Sequence, residues 1–317
     1  MRVMISGFAG FVGSHFANRL LAEGHEVIGV DIRLKKQLWM HQWQLPPHNR
    51  LDYVVDDLRR YITLQSCDNF DLIIHCAAVV GGRLKIEGDP LAVATNLSID
   101  ADFFSWLSKG KKPKKVVYFS SSAVYPTELQ ERNRHCALAE GLVDLNATRF
   151  GLPDQTYGFA KFAGELLAKQ AVERYGVDVV IYRPFSGYGS DQALDYPFPS
   201  IIQRVANREN PITIWGSGDQ QRDFIHIDDI VEAVLSTYDK LPAGTTLNLG
   251  TGNGISFMRL AELACIIADH RAKIVCDPTK PEGVFSRIAD VYALEKWYKP
   301  KISLAQGIER ALTPQKS

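Results

Sequence analysis

Short apolar runs alternate with longer segments of helical periodicity along most of the chain. Short apolar runs bounded by turn residues are typical of buried strands, and apolar positions spaced three or four apart are typical of helices. The predicted strands are Val3–Ile5, Glu26–Asp31, Tyr53–Val55, Leu72–Ile74, Val116–Phe119 and Val177–Tyr182, and the predicted helices are Phe16–Leu21, Pro90–Leu107, Tyr157–Tyr175 and Asp228–Tyr238. This alternation predicts an α/β fold with a doubly wound, largely parallel sheet.

The pattern changes after Arg183-Pro184, where the elements become shorter and Gly, Pro and Asp separate them. We expect residues 1–185 to form a Rossmann-type domain and residues 186–317 a smaller C-terminal α/β lobe. The helix predicted at Asp228–Tyr238 indicates that residues 225–250 pack back on the first domain.

The composition excludes several classes of protein. The 317 residues include 36 Lys+Arg and 36 Asp+Glu, so the chain lacks the basic excess with which nucleic-acid binders neutralise phosphates. With 46% hydrophobic and 23% charged residues, it can bury a large core. It has no apolar run of about 18 residues and no N-terminal leader pattern. We therefore expect neither a nucleic-acid nor a membrane partner.

Cysteine and histidine usage argues against disulfides and metal ions. The five cysteines are odd in number and form no CxxC pair, which favours a reducing, cytoplasmic compartment and no zinc site. The cluster of Trp39, His41, Trp43 and His48 lacks metal-ligand spacing, so we expect no metal there either.

A glycine-rich turn follows the first strand and opens the first helix. In this context glycines let the backbone approach a pyrophosphate, and the helix N-terminus offers N–H donors. The alternative is that the glycines only pack a helix tightly against a strand. The predicted dinucleotide contacts in this turn are Gly7, Phe8, Gly10, Phe11, Val12 and Gly13.

Asp31 ends the second strand, where a carboxylate can accept both hydroxyls of an adenosine ribose and would repel a 2′-phosphate. NAD is therefore favoured over NADP, although a guanidinium at Arg33 could receive that phosphate instead. The adenine edge and the pyrophosphate would pass residues at the next two strand ends, which are Asp57, Leu58, Ala77, Ala78 and Val79.

Tyr157 and Lys161 are four residues apart, so both side chains lie on one face of the predicted helix. An ammonium beside a phenol favours the phenolate, and the tyrosine can then act as a base. Such a pair also occurs by chance on amphipathic helices. The functional interpretation is favoured because Ser120, Ser121 and Ser122 lie at a strand end, where ligands bind in open α/β folds.

With these motifs, the chain resembles the extended short-chain dehydrogenase/reductase enzymes that act on nucleotide sugars, within the epimerase/dehydratase group. The resemblance covers nearly the whole chain and implies a homodimer, with a nucleotide-diphosphate sugar bound by the C-terminal lobe. It rests on Gly7–Gly13, Asp31, Asp57-Leu58, His75–Ala78, Asn96, Ser120–Tyr125, Tyr157–Lys161, Arg183-Pro184 and Arg222–Asp229.

The resemblance implies roles for individual residues. Ser121 would hydrogen-bond the sugar 4-oxygen, Tyr157 would be the acid/base, and Lys161 would hold the nicotinamide ribose. Arg222 and Arg287 would clamp the diphosphate, because a guanidinium fork matches phosphate oxygens; an ion pair of Arg222 with Asp223 or Asp228 is the alternative. The further implied contacts are Asn96, Ser120 and Pro184 for the cofactor, and Gly81, Ser122, Tyr157 and Ser186 for the substrate.

Departures from the family's subgroups narrow the predicted reaction. Dehydratases carry an Asp-Glu pair after the catalytic hydroxyl residue, where this chain has Ser122 and Ala123. The C3/C5 epimerases and the fucose-type epimerase-reductases place a Cys at the Ala123 position. The resemblance therefore implies an isomerase, an NAD-dependent nucleotide-sugar C4-epimerase that passes through a 4-keto sugar. Ser186 stands where relatives usually have Asn, and residues 132–149 are interpreted as a lid over the sugar.

Two other functions remain open at this level. A 4-keto-sugar reductase would use the same Ser, Tyr and Lys set and would consume NADPH, for which Arg33 is the best support. A non-catalytic dinucleotide sensor would be expected to have lost Tyr157, Lys161 or the serines, and the sequence retains all of them.

Overall fold

The structure is a computed structural model that describes residues 1–34 and 49–313. In chain order its strands are β1 (Arg2–Ser6), β2 (Glu26–Asp31), β3 (Leu51–Val55), β4 (Leu72–His75), β5 (Lys115–Phe119), β6 (Ala137–Leu138), β7 (Val179–Pro184), β8 (Ser186–Tyr188), β9 (Ile212–Trp215), β10 (Gln221–His226), β11 (Thr246–Leu249), β12 (Gly254–Ser256), β13 (Ile274–Asp277) and β14 (Ser286–Ala289). Its helices are α1 (Phe11–Ala22), α2 (Leu58–Tyr61), α3 (Arg83–Gly88), α4 (Pro90–Leu107), α5 (Gln155–Tyr175), α6 (Pro197–Ala206), α7 (Ile227–Thr237), α8 (Phe257–Ile267) and α9 (Leu304–Leu312). The cluster from Trp39 to His48 lies outside the described residues.

The larger sheet has seven strands in the order β11-β7-β5-β4-β1-β2-β3, and every pairing in it is parallel. Helices cover both faces, so successive residues of a central strand enter different cores. Val3 and Ile5 pack with Phe16 on one face, whereas Met4 packs with Phe103 on the other. The predicted doubly wound α/β fold is confirmed.

Local chemistry explains why some element boundaries match the sequence pattern and others do not. Helix α4 spans the predicted residues, because Asp89 caps it by accepting a hydrogen bond from Ala92 N at 3.0 Å and Pro90 occupies its first position. Strand β7 starts two residues later than predicted. Gly176, at φ 66°, ends α5, and Val177 N still bonds to Ala171 O at 3.1 Å.

The remaining strands form a second sheet, in the order β12-β10-β14-β6 with β8 also paired to β10, and a two-stranded pair of β9 with β13. Helices α6, α8 and α9 pack around a separate apolar cluster, which includes Tyr188, Phe198, Phe224, Phe257, Leu260 and Ile308. Residues 225–250 supply α7, which packs on α1, and β11 at the edge of the larger sheet. The domain boundary at residue 185 remains a prediction.

The segment between β5 and α5 belongs to the second sheet as well. Its strand β6 pairs in parallel with β14, and Arg132 forms an ion pair with Asp219 at 3.2 Å. The residues interpreted as a lid therefore include a strand of this sheet. Among the described residues, none of the helices combines the length and hydropathy needed to cross a membrane.

Candidate active site

The predicted site residues follow the ends of neighbouring parallel strands. Because all these strands run in the same direction, their carboxyl ends lie at one edge of the sheet, where open α/β folds bind ligands. The glycine turn follows β1, Asp31 ends β2, Asp57 follows β3, Ala77–Val79 follow β4, Ser120–Ser122 follow β5 and Pro184 ends β7.

The glycine turn has the shape that a pyrophosphate cradle needs. Gly7 has φ +70°, and a Cβ there would lie 2.7 Å from the backbone N and Cα of Ala77. The turn closes with a 2.9 Å bond from Gly10 N to Gly7 O, and none of the described side chains caps α1. The first N–H groups of the helix are therefore available to an anion. The ring of Phe8 is fully buried in the core, so Phe8 can contribute only main-chain atoms.

Asp31 and Arg33 are both anchored to this turn. The Asp31 carboxylate accepts hydrogen bonds from Ala9 N at 2.9 Å and from Arg33 N at 3.0 Å. The Arg33 guanidinium donates to Ala9 O. A carboxylate and a guanidinium thus lie together at the end of β2. The contact of Asp31 with an adenosine ribose stays a prediction.

A cavity of about 370 Å³ adjoins this edge and is lined by Ile32, Val55, Asp56, Asp57 and Arg60. It lies where the sequence analysis placed the adenine. Asp57 is already paired with Arg59 at 2.6 Å, and that hydrogen-bonded ion pair lowers the pKa of the Asp57 carboxyl. The Leu58 side chain is buried in the core and does not line this cavity.

Asn96 fixes the loop after β4. Its side-chain oxygen accepts a hydrogen bond from Val79 N at 2.6 Å, and its amide donates to Val79 O at 2.9 Å. Asn96 is buried, and these two bonds shape the loop after β4. Its contact with the cofactor stays a prediction.

The catalytic candidates are brought together by the packing of α5 on the turn after β5. Ser121 starts that turn and accepts a hydrogen bond from Ala123 N at 3.1 Å. Ala123 O in turn accepts from Asp154 N at 2.9 Å, at the residue that precedes α5. Tyr157 lies in the first turn of α5, three residues after Asp154. The buried Lys161, one turn farther along, donates from Nζ to Phe119 O at 2.9 Å.

A buried polar chain that the sequence analysis did not identify lies beside Lys161. Ser6 Oγ is 2.6 Å from His75 Nδ1, and His75 Nε2 is 3.0 Å from Asp100 Oδ1. Tyr118 donates to Asp100 Oδ2 at 2.6 Å, and Lys161 Nζ lies 5.1 Å from the centroid of the Tyr118 ring. The structure therefore places a buried carboxylate close to the buried lysine.

The protonation states of these buried groups depend on one another. Burial raises the pKa of the Asp100 carboxyl, but Lys161, His75 and the Tyr118 hydrogen bond outweigh burial and hold it below its usual range. Burial lowers the pKa of His75 and outweighs the contribution of Asp100. Asp100 is four residues after Asn96, on the same face of α4, and this polar i,i+4 spacing was the available sequence clue.

Ser120 belongs to a second buried network, which connects the two sheets. It donates to Glu165 Oε1 at 2.5 Å, and Glu165 Oε2 forms an ion pair with Arg183 at 2.7 Å. Arg183 also donates to Tyr125 at 3.1 Å, and Tyr125 donates to Asn248 at 2.7 Å. The Ser120 hydroxyl is thus engaged within the protein, although the sequence analysis expected it to contact the cofactor.

Arg222 and Arg287 are register partners on the adjacent parallel strands β10 and β14. Arg287 donates to Gln130 Oε1 at 2.7 Å and to Asp154 Oδ2 at 2.8 Å, whereas Arg222 donates to Gln221 O at 2.7 Å. Burial and the nearby charge of Arg287 lower the pKa of Arg222 to about 9. Two like charges placed side by side form a ready site for an anion.

The alternative ion pairs of Arg222 are not observed. The Asp223 carboxylate accepts from Thr251 N at 2.8 Å and from Gly252 N at 2.9 Å. Asp228 instead forms an ion pair with Arg310 at 3.1 Å.

A cavity of about 790 Å³ is lined by Gln130 and Asp154, the two side-chain partners of Arg287. The sequence analysis did not identify most of its lining. Ser121, Tyr157 and Lys161 do not line it. Its walls include Arg83, Leu97, Gln130, Asp154, Phe159 and Phe285.

Residues 3–250 match the family described as the NAD dependent epimerase/dehydratase family. The chain belongs to that family. This confirms the resemblance inferred from the motifs, and it confirms NAD as the predicted cofactor, because the family is NAD-dependent.

The relatives of this protein are named for different reactions. It is 28% identical over 301 residues to the dTDP-4-dehydro-6-deoxy-D-allose reductase of a Streptomyces species, covering 91% of this chain and 88% of that protein. It is 25% identical over 320 residues to the GDP-L-fucose synthase of Sinorhizobium fredii, covering 98% and 94%. The UDP-glucuronic acid 4-epimerase of Bacillus cereus, solved with UDP-glucuronic acid and NAD, is 25% identical with a TM-score of 0.82, and 98% of each chain is covered.

The buried position of His75 predicts a pH-dependent contribution to stability. Because the pKa of His75 is lower in the folded state, the unfolded chain binds a proton first as the pH falls below about 6.5, and stability is lost. We expect His75→Asn to flatten the fall in unfolding free energy between pH 7 and 5 by up to about 1.4 kcal/mol per pH unit. Urea denaturation at several pH values measures this slope. The exposed His135→Gln should keep the wild-type slope, and an unchanged slope in His75→Asn would contradict the assignment.

Proposed function

We propose that this protein is an NAD-dependent nucleotide-sugar C4-epimerase. The observation that carries the proposal is that Ser121, Tyr157 and Lys161 lie at the same carboxyl edge of the sheet as the glycine turn. Ser122 and Ala123 stand at the positions where dehydratases have an acidic pair. The similarity to a 4-epimerase at 25% identity supports it.

The residues of this chain would act in a simple sequence. Tyr157 accepts the proton of the sugar 4-hydroxyl while Ser121 hydrogen-bonds the same oxygen, and Tyr157 later returns that proton. Lys161, held by Phe119 O, supplies a fixed positive charge that favours the phenolate. Bound NAD would supply the reversible hydride acceptor for sugar C4. Return of the hydride to the opposite face of the 4-keto sugar inverts C4 with no net redox change.

The substrate would be a nucleotide-diphosphate sugar. Arg222 and Arg287 are register neighbours on adjacent strands, and a guanidinium fork matches phosphate oxygens, which supports a diphosphate in the substrate. Ser186, on β8, and Gly81, in the loop after β4, stay predicted substrate contacts.

A 4-keto-sugar reductase is the second candidate. The Arg33 guanidinium at the glycine turn favours it, because a cation there could accept the 2′-phosphate of NADPH. The similarity to a dTDP-4-dehydro-6-deoxy-D-allose reductase supports it as well. This reaction would use the same serine, tyrosine and lysine but would consume the reduced cofactor.

The two reactions differ in their redox balance, which predicts a direct test. We expect purified protein incubated with separate UDP-, GDP- and dTDP-sugars to form a C4 epimer pair from one of them, seen by NMR, with no lasting change in nicotinamide absorbance. Stoichiometric consumption of NADH or NADPH with a 4-keto sugar would instead establish the reductase.

Replacement of the proposed acid/base should lower turnover selectively. Tyr157→Phe removes the proton acceptor, and we expect kcat to fall at least about 100-fold with NAD still bound. Tyr175→Phe, at the exposed end of the same helix, is the matched control and should keep wild-type kcat. Equal kcat in Tyr157→Phe and wild type would refute the role of Tyr157.

We also propose a homodimer, formed through the outer face of α4 and α5. Large apolar side chains are exposed on these helices. Leu91 has 81% of its full exposure, and Leu97 and Phe159, which also line the cavity of about 790 Å³, have 37% and 48%. Such a face is typical of a helix-bundle interface.

Charge on that face should dissociate the dimer. We expect wild type to be dimeric by light scattering and the variant Leu91→Glu, whose side chain does not line that cavity, to be monomeric. Ile266→Glu, at an exposed apolar position on α8, is the matched control and should remain dimeric. A monomeric wild type would reject the proposal.

A further inference from the structure

Asp154 bridges two arginines that come from different parts of the molecule. Its carboxylate accepts from Arg83 at 2.9 and 3.1 Å and from Arg287 at 2.8 Å. Arg83 begins α3, beside the larger sheet, whereas Arg287 is in β14 of the second sheet. Asp154 is buried, so this three-residue cluster is an interior structure.

Asp154 also stands at the N-cap position of α5. An aspartate there ordinarily accepts a hydrogen bond from the backbone N–H of the second or third helical residue, here Thr156 or Tyr157. In this structure the carboxylate makes no such capping bond, because it faces the arginines. The Asp154 carboxylate therefore has a second possible set of donors, the backbone N–H groups of Thr156 and Tyr157.

The charge of the cluster is unbalanced towards the positive. Arg83 has a second carboxylate partner, Glu87, at 2.6 Å. Within the described part of the chain no carboxylate forms an ion pair with Arg222, the strand neighbour of Arg287. Asp154 and Glu87 thus supply two carboxylates for three guanidiniums, and the positive charge that is left over would attract an anion.

The cluster is accessible from the cavity of about 790 Å³, whose lining includes Arg83, Gln130 and Asp154. An anion that enters there meets Arg83 and the Asp154 carboxylate. It can reach the arginines fully only if it displaces that carboxylate.

We propose that Asp154 is an internal occupant of the diphosphate site and that Arg83 is the third arginine of this site. The incoming diphosphate displaces Asp154 from Arg83 and Arg287, and Asp154 then turns to cap α5. Because Tyr157 is three residues after Asp154, binding at the phosphate end would tighten the first turn of the helix that carries the proposed acid/base. This inference rests on the proposed nucleotide-sugar substrate and adds to it the residues that select a diphosphate.

The experiment uses the full chain and inorganic pyrophosphate as the probe, so it does not depend on turnover. Calorimetric titration should show that Asp154→Asn binds pyrophosphate about 5- to 10-fold more tightly than wild type, because the competing charge is gone. Arg83→Gln should bind it about 10-fold more weakly. Asp144→Asn, which removes an exposed carboxylate of the same chain segment, is the matched control and should keep wild-type affinity.

A second measurement follows the helix cap. We expect pyrophosphate to slow amide hydrogen exchange at residues 156 and 157 of the wild type but not of Asp154→Ala. Unchanged or weaker pyrophosphate binding by folded Asp154→Asn would overturn the proposal, as would unchanged binding by Arg83→Gln if Asp154→Asn does not fold. If Asp154→Asn binds pyrophosphate more tightly but the wild type converts none of the nucleotide sugars, the anion site is supported and the epimerase is refuted. The failure of one proposal can therefore be distinguished from the failure of the other.

Discussion

A buried lysine is the constraint around which this molecule is organised. An ammonium removed from water is costly unless polar groups and a counter-charge compensate it. Lys161 has both, since Nζ bonds to Phe119 O and the buried Asp100 carboxylate lies beyond the Tyr118 ring. A carbonyl at the end of β5 and a carboxylate on α4 thus both hold α5 in place.

The same helix connects the larger sheet to the second sheet through charges and hydrogen bonds rather than through apolar packing alone. Glu165, one turn after Lys161, is fully buried and pairs with the equally buried Arg183 of β7. Tyr125 extends this pair to Asn248, whose side chain donates to the main chain at Leu138 and Asp290. Breaking a buried pair by removing one partner is strongly destabilising, so these contacts restrict how the helix can move.

The N-terminus of α5 carries the third constraint. Asp154 reaches arginines that are 71 and 133 residues away in the chain. One helix therefore connects the proposed anion site at its start, an acid/base candidate in its first turn and a structural ion pair farther along. This arrangement gives a physical route by which events at a phosphate could influence a proton transfer at Tyr157.

Local patterns in the sequence determined what depends on neighbouring residues. The helix Pro90–Leu107 was predicted from its apolar periodicity, and the Asp89 cap and Pro90 that start it in the structure act within one turn. The glycine turn and the Tyr157–Lys161 spacing are also local. The tertiary structure alone decided which distant groups share a buried space. The pairing of Asp154 with Arg287, and the engagement of Ser120 by Glu165, follow from strand order and burial, which local periodicity does not encode.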